Sequence, residues 1–320
     1  MPSLDLSVVV ANYNGEPWLV PCLSSLLTQA DGLAWEVVVV DNNSQDDSVG
    51  LLRREFPWVR VVARAKNHGF AQASNQGITL SRGRYILLLN NDTVFHSGLK
   101  TMMGFLDQHP QCAAVGPQML NGQGGPRASW GYFPVLSRLT ATMLFLDRLP
   151  LVSSRFRPLL VPPRCSEFST RARPVEWASG ACLLMRREVV DEIGSLDATY
   201  FMYGEDVEWC YRAWQSGYEI WVLPEAQLVH HGARGGEWRN WKGPLATQHT
   251  YRHFLHFSRK HLPRWQMLPL RLVLAVGASL RLLGALALCL DARPRNRAAA
   301  RSMSGSYVKV LQYAIGIGRP

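Results

Sequence analysis

Short apolar blocks punctuate the first ninety residues. Leu6 to Ala11, Trp35 to Val40 and Val59 to Ala63 are β-branched runs, and Tyr85 to Leu89 is apolar without a break. Runs this short, bounded by residues such as Gly83 and Asn90, read as strands buried on both faces of a helix-covered parallel sheet. Between them apolar residues recur at helical spacing. Leu19, Leu23, Leu26 and Leu27 follow Pro17, Leu51-Leu52 leads to Phe56, and Ala71, Ala73 and Ile78 precede the fourth strand. Strand–helix alternation with short loops predicts right-handed βαβ units. The pattern weakens from Asn121 to Arg173, where Gly122, Gly124-Gly125-Pro126 and Pro162-Pro163 surround apolar pieces such as Leu139 to Leu146. This is an expected insertion with one or two amphipathic helices. Order returns with a strand over Val175 to Met185, whose small central residues allow close approach of a ligand or another backbone. A helix over Arg187 to Ile193 stops at Gly194. Another opens at Glu205 and runs to Gly217, and short strands follow at Ile220 to Leu223 and Gln227 to Val229.

The strand ends carry the candidate chemistry. The first runs into Asn12-Tyr13-Asn14-Gly15, the second into Asp41-Asn42-Asn43-Ser44, and the fourth into Asn90-Asn91-Asp92. Ligands of open α/β sheets bind outside the carboxyl ends of the strands. Asp41 either accepts a hydrogen bond from a nucleoside or caps a helix from Ser44 onward. Asp92 either caps a following helix or serves a hard divalent ion that completes its shell with phosphates and water. No G-x-G-x-x-G follows the first strand, which argues against a dehydrogenase-type dinucleotide site. Phe201 to Arg212 places Glu205, Asp206 and Glu208 at a helix start among Phe, Tyr and Trp. Acids there suit the helix dipole, and a carboxylate in an apolar pocket has its pKa raised towards that of a useful general base. Arg212 is expected to reach a phosphate rather than Asp206. His230-His231-Gly232 ends the last strand, as a metal ligand, a phosphate donor or a structural pair.

Charge separates the chain into two parts. The net charge is +10, with 47% hydrophobic and 18% charged residues. Residues 1–231 hold 19 Lys+Arg against 22 Asp+Glu, and residues 232–320 hold 15 against 2. The basic character belongs to the C-terminal part and implies an anionic surface as partner. Met267 to Leu290 is apolar except for Arg271, Ser279 and Arg281. The arginines leave stretches too short to span a bilayer. A helix lying in the interface, with arginines snorkelling to headgroups, is expected; an ordinary packed helical pair is the alternative. Six scattered cysteines without a C-x-x-C pair suit a reducing compartment and give no zinc site. With no basic leader before Val8, the catalytic body is expected on the cytoplasmic face of the inner membrane, peripheral or monotopic.

Taken in order, Asn12-Tyr13-Asn14, Val39 to Ser44, Asn67-His68-Gly69-Phe70 with Asn75, Leu89 to Asp92, Ser179 to Cys182, Tyr203 to Glu208 with Arg212, and His230 with Gly232 form a series. It resembles the inverting family 2 glycosyltransferases of the GT-A fold, most of all bacterial enzymes of rhamnosyltransferase type. The resemblance covers residues 6–232. It implies a Rossmann-like, mostly parallel sheet flanked by helices, with a C-terminal helical, membrane-associating extension. The implied domains are a catalytic domain over 1–232 and a basic helical region over 233–320. The catalytic domain comprises a nucleotide-sugar half (1–118), the insertion (119–174) and an acceptor half (175–232). Tyr13 and Asp41 would hold the nucleoside, with Asn12, Asn14, Asn43, Asn67, Gly69, Phe70, Asn75, Asn90 and Asn91 completing the donor site. Asp92 would ligate Mg²⁺ or Mn²⁺, with His230 as a further ligand. Asp206 would be the base, with Glu205 beside it. Arg212 would offset the departing diphosphate, and Trp177, Gly180 and Tyr203 would face the acceptor. The usual Asp-x-Asp is Asn90-Asn91-Asp92 here, and Glu208 stands where Asp is common. The implied partners are a dTDP- or UDP-linked sugar and a lipid-linked saccharide or polysaccharide.

Two other classes compete. A sugar nucleotidyltransferase would carry a Gly-rich, Lys-bearing phosphate loop after the first strand, which is lacking. A nucleic-acid binder would interleave its basic residues with stacking aromatics, whereas these flank an apolar run, so no nucleic acid is expected as partner.

Overall fold

The computed structural model describes residues 4–146, 171–232, 244–289 and 294–317. The chain forms two compact units, 1–131 with 160–235, and 132–159 with 236–320. The segment read as one insertion, 119–174, is therefore divided between them. Part of it, 147–170, lies outside the described residues.

The first unit is built on a sheet in the order β3-β2-β1-β4-β10-β6-β11-β5. Strands β1 (Leu6–Asn12), β2 (Trp35–Asp41), β3 (Arg60–Ala63) and β4 (Tyr85–Asn90) pair in parallel. β1 is central to them, and successive residues of β2 point to opposite faces. Val37 and Val39 pack with Val8, Val10, Leu87 and Leu89 in one core, and Val38 and Val40 pack with Ala73 in the other. Burial on both faces is why these strands read as continuous apolar runs. Helix α1 (Glu16–Gln29) buries Leu19, Cys22, Leu23 and Leu26, whereas Leu27, expected on that face, is exposed. Helices α2 (Ser48–Glu55) and α3 (Phe70–Leu80) complete the βαβ units. Gly77 of α3 lies where a Cβ would stand 2.3 Å from Val9 Cγ1, so only glycine lets α3 lie this close to β1.

Beyond β4 the sheet is mixed. β5 (Thr93–Ser97), α4 (Leu99–Gln108) and β6 (Cys112–Leu120) follow. Short β7 (Trp130–Gly131), β8 (Arg173–Val175) and β9 (Trp177–Ala178) precede β10 (Cys182–Arg186), which enters antiparallel between β4 and β6. The strand expected over 175–185 is thus broken at Ser179-Gly180-Ala181. The two strands expected over 220–229 are one, β11 (Glu219–His230), with register shifts at Glu219/Ile220 and Leu223/Gln227. Helices α6 (Arg187–Ile193) and α7 (Glu205–Gln215) cover this half; α5 belongs to the second unit.

That second unit is helical: α5 (Leu136–Met143), α8 (Pro244–His261), α9 (Met267–Cys289) and α10 (Pro294–Ile315). Leu139, Met143, Leu255, Leu270, Leu274 and Ala314 form its core. Arg281, expected to snorkel outward, turns inward. It donates to the carbonyls of Met143 at 2.6 Å, Thr142 at 2.8 Å and Gly277 at 3.0 Å, and lies 4.1 Å over the Phe145 ring. The C-terminal carbonyls of α5 are orphans by helix geometry, and the guanidinium satisfies them. The outward row of α9, Leu268, Leu272, Val276, Leu280, Leu283 and Leu286, is consequently apolar throughout. Against the expectation that the arginines leave stretches too short to span a bilayer, the helix within Arg264–Cys289 holds an 18-residue window of mean hydropathy 2.1 and is, by length and composition, long and apolar enough to cross a membrane.

Candidate functional site

Register alone gathers the strand ends. Asn12 pairs with Asp41 across β1 and β2, and Ala11 with Asn90 across β1 and β4. Side chains then tie the loops together. Asn91 Nδ2 donates to Asn12 Oδ1 at 2.6 Å, and Asn12 Nδ2 to Asp41 Oδ1 at 2.8 Å. Ser44 donates to Asp41 twice, from Oγ to Oδ1 at 2.6 Å and from N to Oδ2 at 3.0 Å. Asp41 is only 2% exposed; it does not cap a helix from Ser44, since α2 begins at Ser48, and its carboxylate instead holds the Ser44 loop and anchors β1 through Asn12. Gly15 borders this knot; a Cβ there would stand 2.0 Å from Asn91 Nδ2 and 2.2 Å from Asn12 Oδ1. Asn14 and Asn43 take the left-handed conformation, which Asn tolerates better than most residues. Tyr13 is left 45% exposed at the rim.

A second knot orients the loop before α3. Asn42 donates to Asn67 Oδ1 at 2.8 Å and to the Gly69 carbonyl at 3.0 Å, and accepts from His68 N. Gly69 has φ +87, and a Cβ on it would strike the Phe201 backbone, to whose carbonyl Phe70 N donates at 2.7 Å. Asn42 and Ser44 tie these knots together, although neither has a donor-site role of its own in the sequence pattern. Their signal was their place in the same strand-end run as Asp41.

Asp92 does not cap a helix, because Thr93 begins β5. β5 pairs with β11 so that His230 faces Thr93, and His231 N donates to the Asp92 carbonyl. His230 Nε2 consequently lies 3.2 Å from Asp92 Oδ1 and 3.5 Å from Asn90 Nδ2. Carboxylate oxygen and imidazole nitrogen thus lie beside each other, a donor set that fits Mg²⁺ or Mn²⁺ if phosphates and water supply the remaining ligands. Among the described residues no group of three or more His, Cys, Asp or Glu could hold a metal ion, so the protein would furnish only part of the shell. Beside this pair stands Arg127, which the sequence did not mark. It is 6% exposed, and its Nη1 donates to the His230 carbonyl. Burial pushes its pKa down to about 10, with the charge of Asp92 opposing the shift.

The acid pair opens α7. Asp206 Oδ2 accepts from Gly180 N at 2.9 Å and Oδ1 from Val207 N at 2.8 Å. The break between β9 and β10 thus aims a backbone N–H at the carboxylate. Gly180 also brings Phe70 close, since a Cβ there would lie 3.5 Å from its ring and 3.4 Å from Asp206 Cβ. Glu205 is 5% exposed, and its Oε2 has no hydrogen-bond partner. Burial, then the neighbouring Asp206, pushes Glu205 well above the usual carboxylate range. Asp206 is raised by burial, but N–H groups of Gly180 and Val207 pull it back. Of the pair, Asp206 is therefore the better-served carboxylate and Glu205 the one that burial pushes further up. Phe201, Met202 and Tyr203 are exposed ahead of the pair, and Tyr203 takes a positive φ.

Some candidates have other duties. Arg212 is spent within its own corner, not offered to a phosphate. Its Nε bonds both Glu208 oxygens, at 3.1 and 3.0 Å; Nη1 reaches the carbonyls of Ile193 and Gly194, and Nη2 that of Ser195 at 2.6 Å. The four-residue spacing on one helix puts Glu208 within reach first. Asn75 likewise grips the backbone of Leu196, donating to its carbonyl at 2.7 Å and accepting from its N at 3.0 Å. Trp177 is buried, in register with Gly131.

Comparison with known proteins supplies the family and the fold. A 28% identical relative, the N-acetylglucosaminyl-diphospho-decaprenol L-rhamnosyltransferase of Mycobacterium tuberculosis, aligns over 86% of this chain and 91% of its own. The low-salt glycan biosynthesis hexosyltransferase Agl10 of Haloferax volcanii is 26% identical over 71% of this chain and 67% of its own. The mannosyltransferase PcManGT of Pyrobaculum calidifontis, solved with GDP-Man and Mn²⁺, superposes with a TM-score of 0.56 over 98% of this chain and 87% of its own at 17% identity. GalNAc-T7, solved with UDP, GalNAc and Mn²⁺, superposes with a TM-score of 0.60 at 16% identity; all of this chain spans 58% of that one. These two share the GT-A fold. The model of glycosyl transferase family 2 matches residues 7–194, more than half of the chain and most of the donor side, and the chain belongs to that family.

Proposed function

We propose that this glycosyltransferase moves a sugar, with inversion, from a dTDP- or UDP-linked donor to a hydroxyl of a lipid-linked or cell-surface saccharide. The observation that carries the reading is the unequal acid pair. One carboxylate, Asp206, is aimed by backbone N–H groups, while Glu205 beside it is buried with an oxygen that has no hydrogen-bond partner, and burial pushes its pKa well up. A single base fits direct displacement. Asp206 takes the hydroxyl proton as the acceptor oxygen attacks the anomeric carbon. The bond to the diphosphate breaks with its electron pair on the leaving group. One displacement inverts the centre, unlike the paired carboxylates of retaining hydrolases. The exposed Tyr13 ring and the Asp41 knot form the nucleoside end of the site. Asp92 and His230 would hold Mg²⁺ or Mn²⁺, which supplies positive charge for the diphosphate. Gly180, Tyr203 and the exposed Phe201 and Met202 form the acceptor side, with Trp177 buried behind it.

Rhamnose as the sugar and a polyprenyl diphosphate as the acceptor carrier rest on the name of the mycobacterial relative. A place at the cytoplasmic face of the membrane is supported by the apolar outer row of α9 in a region of 15 basic against 2 acidic residues. The decisive assay incubates the full-length protein with dTDP-rhamnose, then UDP-sugars, and a polyprenyl-diphosphate N-acetylglucosamine, with Mn²⁺ or with chelator. A product of inverted anomeric configuration is expected. No transfer from any donor, or retention of configuration, overturns the reading.

A further inference from the structure

Length and hydropathy would let α9 cross a membrane, but its packing argues for a different posture. The outward row from Leu268 to Leu286 runs along the helix for about 27 Å. The opposite side is occupied. Leu270 and Leu274 pack with Leu139 and Met143 of α5, Leu255 of α8 and Ala314 of α10. At Gly277 a Cβ would stand 2.7 Å from Met143 Cβ, and Arg281 holds the last carbonyls of α5. These contacts fall at the middle of α9. A spanning α9 would therefore draw the end of α5, its carbonyls and the Arg281 guanidinium to the centre of the bilayer. α5 has only eight residues and cannot span beside it, and α10 exposes Lys309 and Gln312 along its length. Polar groups and charges are costly in hydrocarbon. A helix lying flat sinks only its apolar row, by about 5–10 Å, and keeps the face packed on α5, α8 and α10 turned away from lipid.

The near end of α9 supplies the charge for such a surface. Arg259 lies in the last turn of α8, Arg264 just before α9, and Arg271 in its second turn. Among the described residues none of these three side chains has a hydrogen bond or an ion pair, whereas Arg281 has three carbonyls. Arg271 Nη1 lies 3.5 Å from where a Cβ on Gly316 would stand, at the end of α10. A helix end accommodates one cation. It does not account for two guanidinium groups close enough that, after burial, the charge of Arg271 further depresses Arg259. Trp265, between them in sequence, is 69% exposed, an amphipathic ring suited to headgroup level.

Resting on the membrane reading above, we infer that α9 is an in-plane anchor on an anionic bilayer. Its row from Leu268 to Leu286 lies in the acyl boundary, Trp265 at the headgroups, and Arg259 and Arg271 on lipid phosphates.

The test uses the full-length protein with Cys165→Ser and Cys289→Ser, since Cys22, Cys112, Cys182 and Cys210 are buried. A fluorescent probe is attached through Leu268→Cys, Val276→Cys or Leu286→Cys in turn. Vesicles are phosphatidylcholine with or without phosphatidylglycerol, carrying a quencher at a shallow or a deep acyl carbon. All three probes are expected to be quenched better by the shallow one. A deep probe at 276 between shallow ends, or depth that increases from one end to the other, overturns the in-plane posture. Arg259→Gln with Arg271→Gln is expected to weaken binding to phosphatidylglycerol vesicles about thirtyfold and to leave the weaker binding to phosphatidylcholine unchanged. Equal losses on both vesicles, or no loss, overturn the phosphate contacts. Should the double variant not fold, Arg259→Gln alone is expected to lose about fivefold on the same comparison, and no selective loss overturns them. Probes that become buried with rising protein concentration and no vesicles overturn the inference, because a second copy then covers the row. No vesicle binding by the wild type overturns the membrane reading and this inference together, while sugar transfer stands or falls by its own assay.

Discussion

The polar groups at the ends of β1, β2 and β4 and the acid pair opening α7 are both taken from water, yet they are served very differently. Asn91, Asn12, Asp41 and Ser44 form a chain in which each link has its donor or acceptor. Glu205 has an oxygen with no hydrogen bond at all, and Asp206 relies on backbone N–H groups. A satisfied buried network holds geometry, because each member leaves its neighbour unpaired if removed. An unsatisfied buried acid costs stability and shifts its proton affinity, which is the property a catalytic pair uses. The donor end of the sheet is thus built as a frame, and the start of α7 as a reactive edge.

The largest effect expected from breaking this contrast is on the reactive edge. Asp206→Asn keeps the shape and removes the base, so transfer should fall about 10³-fold while nucleotide affinity changes only a few-fold. Turnover near the wild-type rate would return Asp206 to the frame. Arg212→Ala should act in the opposite way. Glu208 is wholly buried, and removing its partner should destabilise the fold by about 3–5 kcal/mol. Nucleotide affinity measured below the lowered melting temperature should be unchanged, whereas a selective loss would restore Arg212 to the phosphate site. Asn12→Ala should cost about 2 kcal/mol in urea unfolding, since Asp41 and Asn91 each lose a buried partner. A neutral result would mean that water replaces the amide and the frame is looser than drawn.

The smallest effect sharpens the comparison most. The Glu205 pKa in the folded protein lies well above its ordinary 4.5, so the folded state binds more protons than the unfolded state above that pH. Stability then falls as pH rises from about 4.5 towards the folded pKa. Glu205→Gln removes this dependence. Its melting temperature should gain progressively on the wild type as pH rises above the ordinary 4.5, as read from thermal melts across the range. Parallel curves would mean that Glu205 is not the group holding the proton.

Much of the frame was written in local pattern. The strands β1 to β4, the helices between them and the polar runs at their ends follow from burial on two faces and from turn chemistry, which depend on neighbours in sequence. Asp206, Glu205, Asp92 and His230 could be named for the same reason, because each sits in a short motif with its own chemistry. What the chain could not declare locally was decided by pairing and reach. Only the pairing of β5 with β11 brings His230 to Asp92, across 138 positions of sequence. A four-residue helical spacing diverts Arg212 to Glu208. Arg281 reads as a break in an apolar helix until α5 presents carbonyls to it. Arg127 sits in a Gly- and Pro-rich turn that resembles any surface loop, and only the tertiary fold buries it beside Asp92 and His230. A side chain's type is local information, but which partner it meets is set by contacts distant in sequence, and charge acts through space rather than along the chain.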